Sequence, residues 1–334
     1  MLPRTGVAVG LAVAEEIKNH KGVLGPRNFS LKRDATEDLS IVLSELWRDL
    51  ARPGPLWSTI RLVHEGRDLH PSNFMAGALS DGLVAHSYLK PVATADFLTK
   101  GATLIYNHLH EASQCIQRIH EVLEYELPAR VWIQAYLTTA GESAFGRHND
   151  DHNFVVLQLL GSKNWVLYED EAAAGRERLL TTGEGAFLRS GTWHAVSGVG
   201  ELSLHLTIAF DWLSASPEQP GSALNEQELA THHRGWRAGT MLPVALDSAT
   251  LTPTTLVRTA GRTRPIVTFD NNSAIVQCCA GRFRFDGRLS SVLDKLCDGR
   301  ETSTEELSST CGVSRDDLRA FIEFSVRNGI LLCG

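Results

Sequence analysis

Two histidines and one aspartate carry the clearest chemical signal in this chain: His148 and Asp150 in the run His148-Asn149-Asp150, and His194 downstream. On an extended segment, side chains two positions apart point the same way, so His148 and Asp150 can grip one ion as neighbours. A second imidazole from a distant strand would complete a three-ligand set. Such a set leaves coordination positions open, as non-haem ferrous chemistry with O₂ requires. A His-x-Asp triplet alone is common and also fits a solvated turn, so the surroundings must decide. His148 follows a loop containing glycine and serine and precedes the apolar run 154–160; His194 follows Gly191-Thr192-Trp193 and precedes another β-rich stretch. Both histidines therefore sit at loop–strand junctions, where the mouth of a barrel would lie.

The elements that must position them are short strands. Residues 131–137, 154–160, 164–168, 185–188 and 202–210 are β-rich and separated by turn signals. That density, with no helical period between the runs, predicts an antiparallel barrel or sandwich. In 202–210, Leu202, Leu204, Leu206, Ile208 and Phe210 share one face and Ser203, His205, Thr207 and Ala209 the other. One face should pack on core while the other lines a cavity. Upstream, the spacing predicts helices over 39–50 and 114–127 and a strand over 58–64 ending in a Glu65-Gly66 turn. The apolar stretch from Val7 to Ala14, after Arg4, has a faint likeness to a secretion signal. The following Glu15-Glu16 favours an ordinary helix.

Residues 214–265 are expected to be a helical linker or dimerisation segment, with a helix near 224–234. Residues 266–334 read as a separate unit. Apolar spacing gives a helix around 289–296, Thr302 and Glu305 a capping box for a second, and Ser314 with Asp317 the cap of a third. A final strand spans 330–333. That order outlines a winged helix-turn-helix.

With 43% hydrophobic and 21% charged residues, the composition is that of a folded globular chain rather than a disordered one. The net charge of -7 argues against broad nucleic-acid binding. Six cysteines occur without any C-x-x-C pair, so free thiols are expected rather than zinc or a disulfide framework. No apolar run reaches the roughly 20 residues of a membrane span, and a cytoplasmic protein is expected.

Taken in order, residues 135–165 (AYLTTAGESAFGRHNDDHNFVVLQLLGSKNW), 183–196 (GEGAFLRSGTWHAV) and 203–210 (SLHLTIAF) resemble the Jumonji-C oxygenases of the ribosomal oxygenase type. The likeness covers roughly 100–210. It implies a mainly β fold with α additions: a double-stranded β-helix (jelly-roll, cupin-like) core over 91–213. An N-terminal α/β extension over 1–90 would pack on the barrel, and the winged-helix-like domain would follow the linker. It implies Fe(II), 2-oxoglutarate and O₂ as cofactor and cosubstrates, and assigns His148, Asp150 and His194 as catalytic metal ligands. Lys163, Tyr136 and Thr207 match residues of the 2-oxoglutarate pocket, and His205 and Asn107 are further candidates. On its own, Lys163 reads as a solvated strand-edge lysine, Tyr136 as a half-buried strand tyrosine and His205 as a satisfied core histidine. His108, His110 and His152 read as surface or supporting residues.

The resemblance further implies hydroxylation of a side chain in a protein or peptide, either a ribosomal protein or a peptide natural-product precursor. No nucleic-acid or membrane partner is expected, and a homodimer is compatible with the sequence. Two departures leave the substrate open. The N-terminal portion lacks a clear version of the family's aromatic and Lys-Pro segment, and Leu188-Arg189-Ser190-Gly191 stands where a Pro-rich turn is common. The rival readings are a silent cupin-type sensor joined to a DNA- or protein-binding winged helix, and a demethylase.

Overall fold

The computed structural model describes residues 5–20, 27–50, 59–80, 83–127, 129–139, 145–212, 251–259, 265–270, 272–278, 281–297 and 302–333. The chain divides into two compact units, residues 1–123 with 130–223, and residues 124–129 with 224–334.

In the first unit the order is α1 (Val7–Asn19), β1 (Arg27–Ser30), α2 (Arg33–Leu50), β2 (Ile60–His64), β3 (Arg67–Asp68), β4 (Met75–Ser80), β5 (Leu83–Leu89), α3 (Pro91–Thr99), β6 (Thr103–Tyr106), α4 (Leu109–Ala112), α5 (Gln114–Glu126), β7 (Ala129–Thr138), β8 (Asn153–Tyr168), β9 (Arg176–Thr181), β10 (Glu184–Leu188) and β11 (Trp193–Trp212). Nine strands join one antiparallel sheet in the order β1-β10-β8-β11-β7-β6-β2-β3, with β9 also paired to β8. Strands from the first 90 residues therefore build both ends of this sheet instead of lying beside it. The architecture is mixed α/β around a large antiparallel sheet, as a cupin-like core requires.

The predicted strands at 154–160 and 164–168 are one strand of 16 residues, and 202–210 is the second half of one of 20. A single residue explains the first fusion. Gly161 adopts φ +66, and a Cβ there would lie 2.4 Å from the carbonyl oxygen of Leu202. Without a side chain, β8 can turn while staying paired, and β11 absorbs the turn in its register shift between Val199 and Leu204. What reads as a break in the sequence is a bend in a continuous ladder.

Helix α1 is anchored by Asp38 of α2, whose carboxylate accepts from the backbone amides of Gly6, Ala8 and Val9 at 2.9–3.3 Å. This satisfies donors that the first helical turn leaves open. Along α1, Val9, Val13, Ala14 and Ile17 are buried, which is the apolar stripe of an ordinary core-packed helix. The face of β11 carrying Leu204, Leu206, Ile208 and Phe210 is buried, while Leu202 at the bend is partly exposed. The opposite face is buried as well, and supplies His205 and Thr207 to a cavity.

The second unit has the strands β12 (Leu256–Thr259), β13 (Ile266–Asp270), β14 (Ser273–Cys278) and β15 (Gly281–Asp286), then α6 (Ser290–Leu296), β16 (Thr302–Ser303), α7 (Thr304–Cys311), α8 (Arg315–Arg327) and β17 (Leu331–Cys333). Its core gathers Val257, Val276, Val292, Leu307, Phe321 and Ile322, among others. The cap of α7 falls one residue later than the sequence suggests. Ser303, not Thr302, accepts from the amide of Glu306, while Ser314 caps α8 through Asp317 as expected. The three-stranded meander β13–β15 has no counterpart in the sequence reading. The helix expected near 224–234 lies outside the described residues. Among the described residues, no helix is long and apolar enough to cross a membrane.

The bend at Gly161 can be tested against a control. Gly200 also has positive φ, but nothing lies within 4 Å of a Cβ there. Gly200→Ala should cost only the left-handed penalty of about 1–2 kcal/mol. Gly161→Ala should cost clearly more in urea unfolding, because it adds a backbone collision. Equal losses would mean that the bend does not depend on the missing side chain.

Candidate active site

His148 lies just before β8 and His194 is the second residue of β11. The two form an isolated antiparallel bridge: the His148 amide donates to the His194 carbonyl at 2.9 Å, and the His194 amide to the His148 carbonyl at 2.7 Å. The amide of Gly191 donates to the carbonyl of Asp150 at 2.7 Å, which ties the third residue to the same turn. As a result one ligand atom from each of His148, Asp150 and His194 lies within 4.8 Å of the others. The imidazole Nε2 of His194 is 3.6 Å from the Asp150 carboxylate.

The Nδ1 atoms of the two histidines lie against backbone carbonyls, Gly146 at 3.2 Å for His148 and Thr192 at 2.9 Å for His194. A carbonyl accepts, so each Nδ1 carries the proton and each Nε2 lone pair is free for a metal. Burial lowers the pKa of His194, which favours the neutral form that coordination needs. Two imidazoles and a carboxylate with open positions suit ferrous iron.

The three residues stand at one side of a cavity of about 270 Å³. Lys163, Tyr136, Thr207 and His205 line the same cavity. Lys163 is 2% exposed, and its one described bond donates to the Tyr136 carbonyl at 3.2 Å. Burial pulls its pKa down to about 7. An ammonium buried without a carboxylate is costly, and a ligand carboxylate would relieve that cost. Among the described residues, the Nδ1 of His205 and the Nε1 of Trp165 are buried with no hydrogen-bond partner. The solvated edge position that Lys163 suggests in isolation is therefore not where the fold puts it. A small dicarboxylate fits this donor set: one end at the metal cluster, the other at Lys163.

Tyr136 stacks flat on His205, with ring centroids 4.9 Å apart. Burial drives the Tyr136 phenol up to about 12 and His205 well below its ordinary value. The phenol therefore stays a donor and the imidazole stays neutral. The Tyr136 hydroxyl donates to Gln134 at 3.0 Å, and Gln134 donates to Asn107 at 2.8 Å. Asn107 is not in the lining; it reaches the cavity only through Gln134.

His152 does line the cavity and packs edge-on against Trp132 at 5.0 Å. His108 and His110 do not line it, and with Glu111 they form a separate group. The sequence reading missed Arg61, Trp165 and Gly198. Arg61 lines the cavity from β2 and is paired with Asp68 at 2.8 and 2.9 Å. Nothing local marks it, because it lies far upstream of the motif. Trp165 stacks on His194 at 5.7 Å and could have been found by alternation, two positions past Lys163 on the same face. Gly198 pairs with Lys163, and a Cβ there would meet the Thr139 carbonyl oxygen at 2.4 Å.

Residues 105–216 match the family model of the JmjC domain. The match covers about a third of the chain and is a similarity to that domain. This is the family of Fe(II)- and 2-oxoglutarate-dependent oxygenases that the motifs resemble, and the match spans the metal cluster and the lysine. Among curated proteins, mouse ribosomal oxygenase 2 is 29% identical over 168 residues, covering 44% of this chain and 35% of the relative. The bifunctional lysine-specific demethylase and histidyl-hydroxylase NO66 of Drosophila sechellia is 24% identical over 139 residues, covering 36% and 21%. The chain thus spans about a third or less of the length of these relatives. Among solved structures, E. coli YcfD superposes with a TM-score of 0.50 at 10% identity over 96% of this chain and 97% of that one, a likeness of fold.

The buried Lys163 generates a paired prediction. Lys163 is protonated in the unfolded chain up to its ordinary value of 10.5 but in the folded chain only up to about 7. The unfolded state therefore binds more protons between these values, and the penalty is full below about 7 and fades as pH rises through that window. Lys163→Met should raise Tm at neutral pH by several degrees while raising the Kd for 2-oxoglutarate at least about tenfold. Calorimetry would check both, and an unchanged Kd would refute the assigned carboxylate contact.

Proposed function

We propose that this protein is an Fe(II)- and 2-oxoglutarate-dependent oxygenase that hydroxylates a side chain of a protein or peptide. The observation that carries the reading is the pairing of a two-histidine, one-aspartate cluster with a buried, carboxylate-free lysine in one cavity. His148, Asp150 and His194 would hold the iron. Lys163 would bind the distal carboxylate of 2-oxoglutarate, with Thr207 as a hydroxyl donor and Tyr136 as a second one once its hydroxyl turns from Gln134 to the carboxylate. Iron, 2-oxoglutarate and O₂ together supply oxidative decarboxylation coupled to insertion of one oxygen atom into the substrate.

The remaining work belongs to the chain. The bridged backbones of His148 and His194 hold both imidazoles in register. Phe154, Trp165 and Val196 give the cavity an apolar wall, which keeps water away and would strengthen the attraction between the Lys163 ammonium and a bound carboxylate. Stacking against Tyr136 keeps the ring of His205 in place beside that lysine.

The similarity to ribosomal oxygenase 2 supports a ribosomal protein as substrate, and a peptide natural-product precursor is the other candidate. Residues 266–334 are read as a winged-helix-like module that docks a peptide or a second copy of the chain. The charges on α8 speak against DNA as its partner. Arg319 pairs with Glu323 at 3.2 Å, and Arg288 reaches Asp317 at 4.0 Å, which leaves little excess cation for phosphate. A cytoplasmic setting agrees with this chemistry.

His148→Ala and Asp150→Ala should each lower iron-dependent conversion of 2-oxoglutarate to succinate by more than about a hundredfold, with unfolding curves close to wild type. Full turnover in either variant would end the assignment. Mass spectrometry of candidate peptides should show the gain of one oxygen atom, derived from labelled O₂. Loss of a methyl group instead would favour a demethylase.

A further inference from the structure

Beside the metal cluster, on the first unit, lies a second concavity of about 690 Å³ that shares no lining residue with the first. Its charged lining is Arg27, Arg176, Arg178 and Arg189 against the single Glu169. Arg176 is neutralised by Glu169 at 2.7 Å. Arg27, Arg178 and Arg189 have no side-chain bond or ion pair among the described residues. Three unpaired guanidinium groups in one groove are out of character for a chain of net charge -7. Like charges sharing one groove repel, though solvent screens them, and an anion seated among them would relieve that repulsion.

The groove is joined to the metal cluster by short covalent and hydrogen-bonded steps. Thr192 lines the groove, and its carbonyl accepts from His194 Nδ1 at 2.9 Å. Leu167 lines it and pairs with His194 in the β8–β11 ladder. Arg147, next to His148, lies over the ring of Tyr168 in the groove wall at 3.5 Å. An extended chain seated in the groove would therefore run within a few residues of the metal cluster.

We propose that this groove docks an acidic stretch of the polypeptide substrate, flanking the side chain to be oxidised. The inference rests on the oxygenase reading and adds a recognition rule to it. Guanidinium forks are matched to carboxylates. The groove is bounded by β1 and β9, each paired on one side only within the sheet, and open strand edges suit an extended peptide. Nucleic acid fits less well. The one aromatic ring in the wall, Tyr168, already carries Arg147 on one face, which leaves at most one face for a base, and the overall negative charge opposes a polyanion at long range.

The test uses the full-length chain and three fluorescent probes: oligo-glutamate of about ten residues, long enough to span the groove at roughly 3.3 Å per residue, oligo-lysine of equal length, and a single-stranded RNA of similar charge. Oligo-glutamate should bind, weakening as salt rises, and oligo-lysine should not. The triple variant Arg27→Gln, Arg178→Gln, Arg189→Gln should bind it at least about tenfold more weakly, while substrate-free conversion of 2-oxoglutarate to succinate stays at the wild-type rate. Arg176→Gln, whose guanidinium is already paired, should lose less. Equal binding by the triple variant, no binding by wild type, or tighter binding of RNA would overturn the proposal. If arginine-dependent binding is found but no succinate forms under any condition, the groove stands and the oxygenase reading falls.

Discussion

The pair of backbone hydrogen bonds between His148 and His194 is the constraint on which the site depends. Neither residue could place its ring alone, since His148 lies in a loop and His194 at the start of a strand. Joined as an antiparallel bridge, they hold their rings with centroids 4.3 Å apart. Carbonyls two residues upstream orient each ring further. His194 is held on one side by its place opposite Leu167 in the β8–β11 ladder and on the other by the isolated bridge to His148, so the cluster is anchored to the longest strand pairing among the described residues. A metal site built this way is rigid before any ion arrives, and the ordering cost is met during folding rather than binding.

The second feature is an electrostatic imbalance left in the core. Lys163, His205 and Trp165 bring polar atoms into an enclosed space without satisfying all of them. Such groups normally find partners, and their persistence beside an apolar wall is the mark of a place kept for a ligand. The neighbouring Tyr136, Gln134 and Asn107 are linked in a chain, so the unsatisfied atoms are confined to one side of the cavity. The same imbalance recurs outside it, in the arginine-lined groove, where the surplus charge is solvated and weaker.

Much of this was legible in the residues themselves. The His-x-Asp pair, the distal histidine and the alternation of 203–209 all name side chains the fold brings to one cavity, and Lys163 was reachable through family resemblance. The helices at 33–50 and 114–126 announce themselves by period, though the first begins six residues before its apolar pattern does. Other features were not legible. Gly161 reads as a strand break, because sequence does not show that a carbonyl from Leu202 approaches it. Arg61 enters from a strand more than 80 residues before His148, and no local pattern marks it. Asn107 has the right residue type, yet it stands one layer behind Gln134.

The sequence alone determined which atoms are available: two imidazoles and a carboxylate at strand junctions, an amine two positions before a tryptophan, and strands of period two to carry them. Those are properties of residue type and local spacing, which the chain carries whatever its fold. The tertiary structure decided which of those atoms meet, which stay dry and which are left unpaired. Lys163 is the clearest case. As a letter it belongs on a surface, and only the closing of β8, β11 and β7 around it removes its water and turns it toward the cavity. Desolvation and non-local pairing depend on residues far apart in the chain, so no local reading can contain them.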